Sequence, residues 1–220
     1  PYSLLTTSTH DTKRREVVRA WFYVLSEIPS EWKVCLSRWG KLNKKKKLLV
    51  DDQLVPDRND EYLLYQSLLG AWPLEPMDQM AYKVLKERIH CYMEKATKEA
   101  KVNTSWVNPS KAYDDAVQAF ADSILDDSQP NPFLDDFKLF QRRVATYGIY
   151  NSISQTLLKL TSPGVPDIYQ GNETWDFSLV DPDNRRPVDY GVRRQMLKTL
   201  KDRISGPDGD LVGLVRELLK

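Results

Sequence analysis

Only two stretches of the sequence are typical of β-strands, and they lie far apart. The first is Leu4 to Thr7, and the second is Val165 to Gly171, which we expect to be a short buried strand. Between them, apolar side chains recur at the spacing of about five helices. Two strands alone do not make a stable sheet, so these two need partners. We therefore expect a mainly α chain whose strands belong to a larger sheet.

The ends of the chain support the same expectation. Pro1 stands directly before the first strand, and Lys220 ends the chain within a helical pattern. Partner strands for the two predicted strands would then come from sequence outside these residues. We therefore expect this chain to be a segment of a longer protein.

Capping residues and prolines predict where the helices begin and end. Asp11 or Thr12 is expected to cap the first helix, which Pro29 terminates. Asn-Pro pairs give start signals for two later helices, because proline is favoured in the first turn. These pairs are Asn108-Pro109 and Asn131-Pro132; other helices are expected from Ser30 to Gly40, from Asp57 to Gly70, from Met77 to Lys101, and at roughly 190–204 and 209–220.

Composition excludes several classes of function. The 32 Lys and Arg residues nearly balance the 31 Asp and Glu residues, so no basic footprint for nucleic acid exists. No apolar run reaches the roughly 18 residues of a membrane span, and no signal peptide is recognisable. Cys35 and Cys91 are too few for a disulfide framework and are expected to be free thiols. We expect a cytoplasmic protein without nucleic-acid or membrane partners.

Two local features allow more than one interpretation. The run Lys44 to Lys47 is either a solvated loop or a site for a polyanion. His90 lies in a helical pattern and is either a surface or packing residue or an isolated ligand. No second ligand stands at metal spacing from His90, so we expect no metal site.

The segment from Ser8 to Arg15 carries the strongest signal of chemistry. His10 and Asp11 follow the first predicted strand and precede a helical pattern. In barrel enzymes, catalytic side chains occupy such positions, on loops at the carboxyl ends of strands. This segment is therefore the first candidate for a catalytic site.

Several motifs together resemble a known enzyme family. A strand that ends in His10-Asp11 and a later Pro163-to-Gly171 segment resemble the last two barrel strands of the α-amylase superfamily. Within that superfamily, further motifs are similar to those of maltooligosyl trehalose synthases. These motifs are Thr9–Arg14, Asn59–Gln66, Leu69–Pro73, Thr104–Trp106 with Asn108-Pro109, Phe140–Ala145 and Trp175–Tyr190.

The resemblance implies a fold and a division of the chain. The fold would be the last two strands of a (β/α)8 barrel with a large helical insertion between them, so that the barrel is incomplete in this chain. Residues 1–28 would hold strand seven and its helix, and residues 29–130 the helical insertion. Residues 131–220 would hold a long helix, strand eight, the Asp181-to-Pro187 loop and the last helices.

The resemblance also implies an activity. Enzymes of this family convert the reducing-end α-1,4 linkage of a maltodextrin into an α,α-1,1 linkage, by a retaining intramolecular transfer that needs no cofactor. The partner of the chain would then be a maltooligosaccharide. Asp11 would stabilise the transition state, and His10 would bind a sugar hydroxyl.

Other residues of the implied site have open roles. Four cationic residues either bind substrate or orient Asp11 and tie loops together. Tyr169 and Gln170 either line the pocket or only pack. The four cationic residues are Lys13, Arg14, Arg185 and Arg186.

The implied nucleophile and general acid have no counterpart in this sequence, because in the family they lie on earlier strands. The chain alone is therefore expected to be inactive, and its unpaired strands favour self-association. The main alternative is a non-catalytic helical module that binds a glucan or a protein. A narrower alternative keeps a glucan-active enzyme but changes the reaction to hydrolysis or another transfer.

Overall fold

Helices dominate the structure, a computed structural model that describes residues 3–206 and 211–218. The strands in this part of the chain are all three residues long. The helices are α1 (Glu16–Glu27), α2 (Pro29–Asn43), α3 (Arg58–Ala71), α4 (Gln79–Ala100), α5 (Lys111–Ile124), α6 (Pro132–Thr161), α7 (Tyr190–Ile204) and α8 (Leu211–Leu218). The strands are β1 (Leu4–Thr6), β2 (Leu48–Val50), β3 (Gln53–Val55) and β4 (Val165–Asp167), and 3-10 helices occupy Lys44–Lys46 and Asp183–Arg185.

Strands β1 and β4 pair in parallel although almost 160 residues separate them. Leu4 lies opposite Val165, and Thr6 lies opposite Asp167. Val165 is 54% exposed, so the expectation of a buried strand was wrong. Within the described residues, each of the two strands pairs only with the other, which leaves their outer edges and side chains uncovered. Because the pair is parallel, the carboxyl ends of both strands lie at the same edge.

A hairpin of β2 and β3 occupies a region that the sequence analysis left without strands. Leu48 pairs with Val55 in antiparallel register, and Asp51 and Asp52 form the turn with φ of 48° and 61°. Positive φ at both central residues is typical of tight hairpin turns, and Asp tolerates it better than most residues. An Asp-Asp pair between Leu-Leu-Val and Gln-Leu-Val was the signal that could have revealed this hairpin.

Some predicted helix starts are confirmed and others are wrong. The side chains of Asp57 and Asn131 cap α3 and α6 by accepting backbone N–H groups. Helix α5 is capped by Ser110, two residues after the predicted Asn108. Helix α2 begins at Pro29 and continues through Gly40 to Asn43.

Helix α1 begins at Glu16, not after Asp11 or Thr12 as predicted. The backbone N–H of Glu16 donates to the hydroxyl of Ser8, 3.0 Å away, and Arg14 forms an antiparallel bridge with Leu179. A side chain eight residues upstream and a distant strand partner therefore fix the preceding segment outside the helix. Neither interaction is visible in local sequence.

The core lies between α1 and α6 and continues into the other helices. Trp21 on α1 is fully buried, and Gly148 on α6 leaves the space that its ring occupies. Helix α6 runs unbroken through Gly148, so this glycine serves close packing. A second group of aromatic rings surrounds Trp39 of α2. Its members are Trp32, Tyr65, Phe133, Phe137 and Phe140.

One cluster of buried residues includes side chains from all three predicted parts of the chain, 1–28, 29–130 and 131–220. The division into these parts stays a prediction. Cys35 is buried and Cys91 is exposed, and both are free thiols. The Nε2 atom of His90 lies 3.0 Å from a carboxylate oxygen of Asp122. Among the described helices, none is both long and apolar enough to cross a membrane.

Candidate active site

Four of the predicted site residues follow the carboxyl ends of β1 and β4. His10 and Asp11 form a turn after β1, and Tyr169 and Gln170 follow β4. Both segments belong to the same edge because the strands are parallel. The sequence separation of these two pairs therefore does not reflect their positions in the fold.

A third segment closes over the two strand ends. We call residues 172–189 the long loop; it connects the Gly171 turn to α7. Asn184 in this loop donates its side-chain amide to the backbone carbonyl of His10, at 2.7 Å. The Arg14–Leu179 bridge adds a second backbone connection. These two contacts thus fix the long loop against the segment that contains the His10–Asp11 turn.

Arg15 joins all three segments and was not recognised in the sequence. Its side chain is only 2% exposed, and its Nε lies 3.2 Å from a carboxylate oxygen of Asp176 in the long loop. A second nitrogen donates to the carbonyl of Thr9 at 2.9 Å, and the guanidinium carbon lies 4.3 Å from the centre of the Tyr169 ring. Arg15 ends the candidate segment from Ser8 to Arg15, but it directly follows the family-like Thr9-to-Arg14 motif and was given no role of its own. One buried cation therefore fixes the relative positions of the three segments.

Helix α4 fixes the far side of the long loop. Arg88 donates to both carboxylate oxygens of Asp183, at 2.8 and 3.0 Å, and to the carbonyl of Phe177 at 2.8 Å. Asp183 also accepts the backbone N–H of Leu179 at 2.7 Å. A bidentate Arg–carboxylate pair is strong and sets geometry as well as energy. The Asp-Pro-Asp-Asn motif therefore stabilises the long loop, and its second aspartate, Asp183, binds Arg88 and the loop backbone.

A polar cavity of about 170 Å³ lies between the long loop and α7, and Gln170, Arg186 and Arg193 are among its lining residues. Glu173 accepts hydrogen bonds from the backbone of Gly171 at 3.0 Å and from Arg193 at 2.9 Å. Burial alone would raise the pKa of Glu173, but these donors hold its pKa below the usual value. The cavity is smaller than typical ligand sites of about 300–1,000 Å³, so it suits part of a larger ligand.

Asp11 and His10 have exposed side chains at this edge. Within the described residues, none donates a hydrogen bond to the Asp11 carboxylate or pairs with it. Lys13 is also exposed and lies 3.3 Å from Glu99 of α4. An exposed, unpaired carboxylate is available to a ligand, whereas Lys13 already has an anionic partner.

The other predicted cationic residues contact the protein itself. Arg14 donates to the hydroxyl of Ser67 at 3.0 Å, and its guanidinium carbon lies 4.5 Å from the centre of the Tyr92 ring. Arg185 pairs with Asp181. Arg186 donates to the hydroxyl of Ser178 at 3.0 Å while it also lines the cavity. The contacts of Arg14 and Arg185 favour the structural interpretation, and Arg186 has a position compatible with both roles.

Replacing Arg15 by Met is expected to loosen this edge. The change keeps the length of the side chain but leaves the carboxylate of Asp176, which is 19% exposed, without its cation, so we expect the free energy of unfolding to fall by about 2 kcal/mol. Limited proteolysis should then cut within residues 172–189 more rapidly. Arg186→Met is the matched control: Arg186 is 53% exposed, and its loss should change unfolding by less than about 0.5 kcal/mol. Equal effects of the two substitutions would contradict a special role for Arg15.

Comparisons with known proteins identify relatives of this chain. No protein-family model matches the chain. Two curated relatives from Mycobacterium tuberculosis strains, each described as a putative maltooligosyl trehalose synthase, are 42% identical over 201 residues. The matched region covers 91% of this chain and 24% of each relative. The chain thus spans about a quarter of the length of the curated relatives it matches.

Solved structures give the same result. A crystal structure of a maltooligosyl trehalose synthase is 34% identical, with a TM-score of 0.78, and covers 98% of this chain and 29% of that one. The maltooligosyltrehalose synthase of Arthrobacter ramosus is 33% identical, with a TM-score of 0.76, over 100% of this chain and 26% of that one. The predicted resemblance is confirmed: the chain is homologous to one segment of these proteins.

Proposed function

We propose that this chain is the part of a maltooligosyl trehalose synthase that carries the transition-state-stabilising carboxylate. The whole enzyme would be an isomerase that moves the reducing-end glucose of a maltodextrin from an α-1,4 to an α,α-1,1 linkage. The observation that carries the proposal is the meeting of the His10–Asp11 turn, the Tyr169–Gln170 segment and the long loop at one edge of parallel strands. The test is to replace the corresponding segment of a relative by this chain and to assay trehalose-ended product.

Asp11 is the proposed catalytic residue of this segment. Its exposed carboxylate has no partner among the described residues, so it is free to face a ligand. A fixed negative charge beside the oxocarbenium-like transition state of glycosyl transfer lowers the barrier. The attacking carboxylate and the acid that protonates the leaving oxygen would come from sequence outside this chain. This division explains why we expect no turnover from the chain alone.

The remaining residues would bind the sugar or hold the binding groups. His10, Gln170 and Arg186 would donate to sugar hydroxyls. Tyr169 would support the buried Arg15 guanidinium, and the cations with protein partners would position the loops. These positioning cations are Lys13, Arg14 and Arg185.

The proposed function also assigns the two strands a position in a barrel. β1 and β4 would be strands seven and eight of a (β/α)8 barrel, and α2 to α5 would form the helical insertion between them. Their parallel pairing supports this, because adjacent barrel strands are parallel. In this arrangement the enzyme would act on maltooligosaccharides in the cytoplasm.

The isolated chain is expected to self-associate. Leu4 and Val165 are exposed on the strand pair, and Ile168 is exposed directly after β4. Each of these strands has one unpaired edge within the described residues. Uncovered apolar strands favour edge-to-edge pairing. Light scattering at micromolar concentration should therefore detect dimers or larger species. Lys substitutions at Leu4 and Val165 should shift the population toward monomer, and a wild-type chain that stays monomeric would contradict the expectation.

A further inference from the structure

We propose that a cleft between α2, β3 and α3 binds a phosphorylated ligand about as large as a sugar phosphate. The cleft measures about 600 Å³, within the usual range of roughly 300–1,000 Å³ for small-molecule sites. Its residues lie between positions 36 and 65, and none belongs to the candidate active site. The inference therefore stands apart from the proposed function.

The cleft carries more positive charge than the protein neutralises. Lys41, Lys44, Lys47 and Arg58 line it, together with a single carboxylate, that of Glu61. Glu61 is already used on both oxygens: one lies 2.7 Å from Lys47 Nζ, and the other accepts the Tyr65 hydroxyl at 2.8 Å. Lys47 also donates to the carbonyl of Pro56 at 2.7 Å.

Three cations of the cleft lack such partners. No ion pair or side-chain hydrogen bond joins Lys41, Lys44 or Arg58 to another residue of the described ranges, 3–206 and 211–218. Like charges around one cavity repel one another, and an anion bound between them would remove the repulsion. Lys41, Lys44 and Arg58 are exposed and line the same cleft, so their charged groups are available to one ligand.

Of the three cations without partners, Arg58 is the one whose position does not stabilise its own helix. Arg58 is the first residue of α3, where the helix macrodipole disfavours a cation. The neighbouring Asp57 caps the helix, and its carboxylate is occupied by the N–H groups of Asn59 and Asp60 and by the Asn103 amide at 2.9 Å. Lys41 and Lys44, in contrast, lie near the carboxyl end of α2, where cations are favourable. An anionic ligand would account for Arg58, whereas helix stability would not.

The other walls of the cleft suit the body of a small organic molecule. Leu36, Leu54 and Tyr62 provide apolar and aromatic surface beside the cations. A phosphate group offers three strong acceptor oxygens to three donors, and a sugar ring presents C–H faces that pack on such a surface. A concave site with an apolar wall fits a sugar phosphate better than an extended polyanion, which needs a long basic stripe.

Calorimetric titration of the 220-residue chain tests the proposal, with inorganic phosphate, glucose 6-phosphate and glucose as probes. Glucose 6-phosphate should bind more tightly than inorganic phosphate, and glucose should not bind. Lys44→Ala and Arg58→Ala should each weaken binding of glucose 6-phosphate by about fivefold or more. Lys45→Ala is the matched control, because Lys45 is an exposed neighbour that does not line the cleft.

A steric variant makes the test independent of charge. Gly40 lines the cleft. A Cβ atom at position 40 would lie 3.9 Å from a carboxylate oxygen of Glu61, so a larger side chain there would occupy the cleft. Gly40→Leu should therefore abolish binding while circular dichroism stays helical. The proposal is overturned if glucose 6-phosphate does not bind, if Lys44→Ala and Lys45→Ala behave alike, or if an oligonucleotide binds and phosphate does not compete. Loss of trehalose-forming activity in a chimera would leave all of these results unaffected.

Discussion

Asp11→Asn should reduce the formation of trehalose-ended product by about a hundredfold or more in a full-length chimera. The chimera is the Mycobacterium tuberculosis relative in which the matched quarter is replaced by this chain. Asparagine keeps the shape of the side chain and removes its charge, so the substitution tests electrostatic stabilisation of the transition state. Product is measured from maltopentaose by chromatography after equal reaction times.

Because Asp11 is exposed, the substitution can be expected to change activity without changing stability. Because its carboxylate has no partner among the described residues, Asp11→Asn should leave the unfolding curve unchanged. Asp52→Asn is the matched control: Asp52 lies in an exposed turn with φ of 61°, which asparagine adopts readily. The control chimera should retain its activity. A loss of activity confined to Asp11→Asn would then be a loss of chemistry and not of folding.

Three results would contradict the proposed function. One is an Asp11→Asn chimera that remains active. Another is trehalose-ended product formed by the isolated chain, because the chain lacks recognised residues for nucleophile and acid. The third is an unmodified chimera that folds but is inactive, combined with tight binding of maltopentaose to the isolated chain. That combination would favour the non-catalytic binding module.

The sequence predicted the helical part of the fold where local signals decide the outcome. Asp57 and Asn131 are side-chain caps in the structure because an oxygen at that position satisfies backbone N–H groups that every helix start leaves free. The start of α1 could not be predicted in this way. Ser8 and Leu179, which hold the preceding residues out of the helix, act from eight and more than 160 residues away.

In the candidate site, too, only the residues that local sequence marks could be predicted. His10 and Asp11 were recognisable because the motif is continuous in sequence and follows a strand. Arg15 was not, because its importance lies in contacts with Asp176 and Tyr169, which only the folded chain brings to it. Arg14, the neighbour that was predicted as a site residue, instead contacts Ser67 and Tyr92. A run of basic residues thus gives no ranking among its members until their partners are known.

Gly148→Ala should lower the free energy of unfolding by about 3 kcal/mol, the largest stability effect that we expect. A Cβ atom at this position would lie 2.1 Å from Trp21 Cδ1 and 2.6 Å from Cγ, far inside contact distance. Trp21 is fully buried, and its ring packs on Phe177 of the long loop at 4.9 Å between centroids. The added methyl group would therefore displace Trp21 and disturb its contact with Phe177 in the long loop, which forms part of the candidate site. Urea denaturation followed by circular dichroism measures the change.

The same substitution at Gly40 should act in the opposite direction. A Cβ atom at Gly40 meets nothing closer than 3.9 Å, so Gly40→Ala gains helix propensity and should stabilise the chain by about 0.5–1 kcal/mol. Trp21→Leu should relieve the clash, so the double variant with Gly148→Ala should be less destabilised than the sum of the two single variants by about 1–2 kcal/mol. Strict additivity would show that Gly148 and Trp21 do not share a contact. Faster proteolysis of the long loop in Gly148→Ala, and not in Gly40→Ala, would show that packing between α1 and α6 holds the candidate site in place.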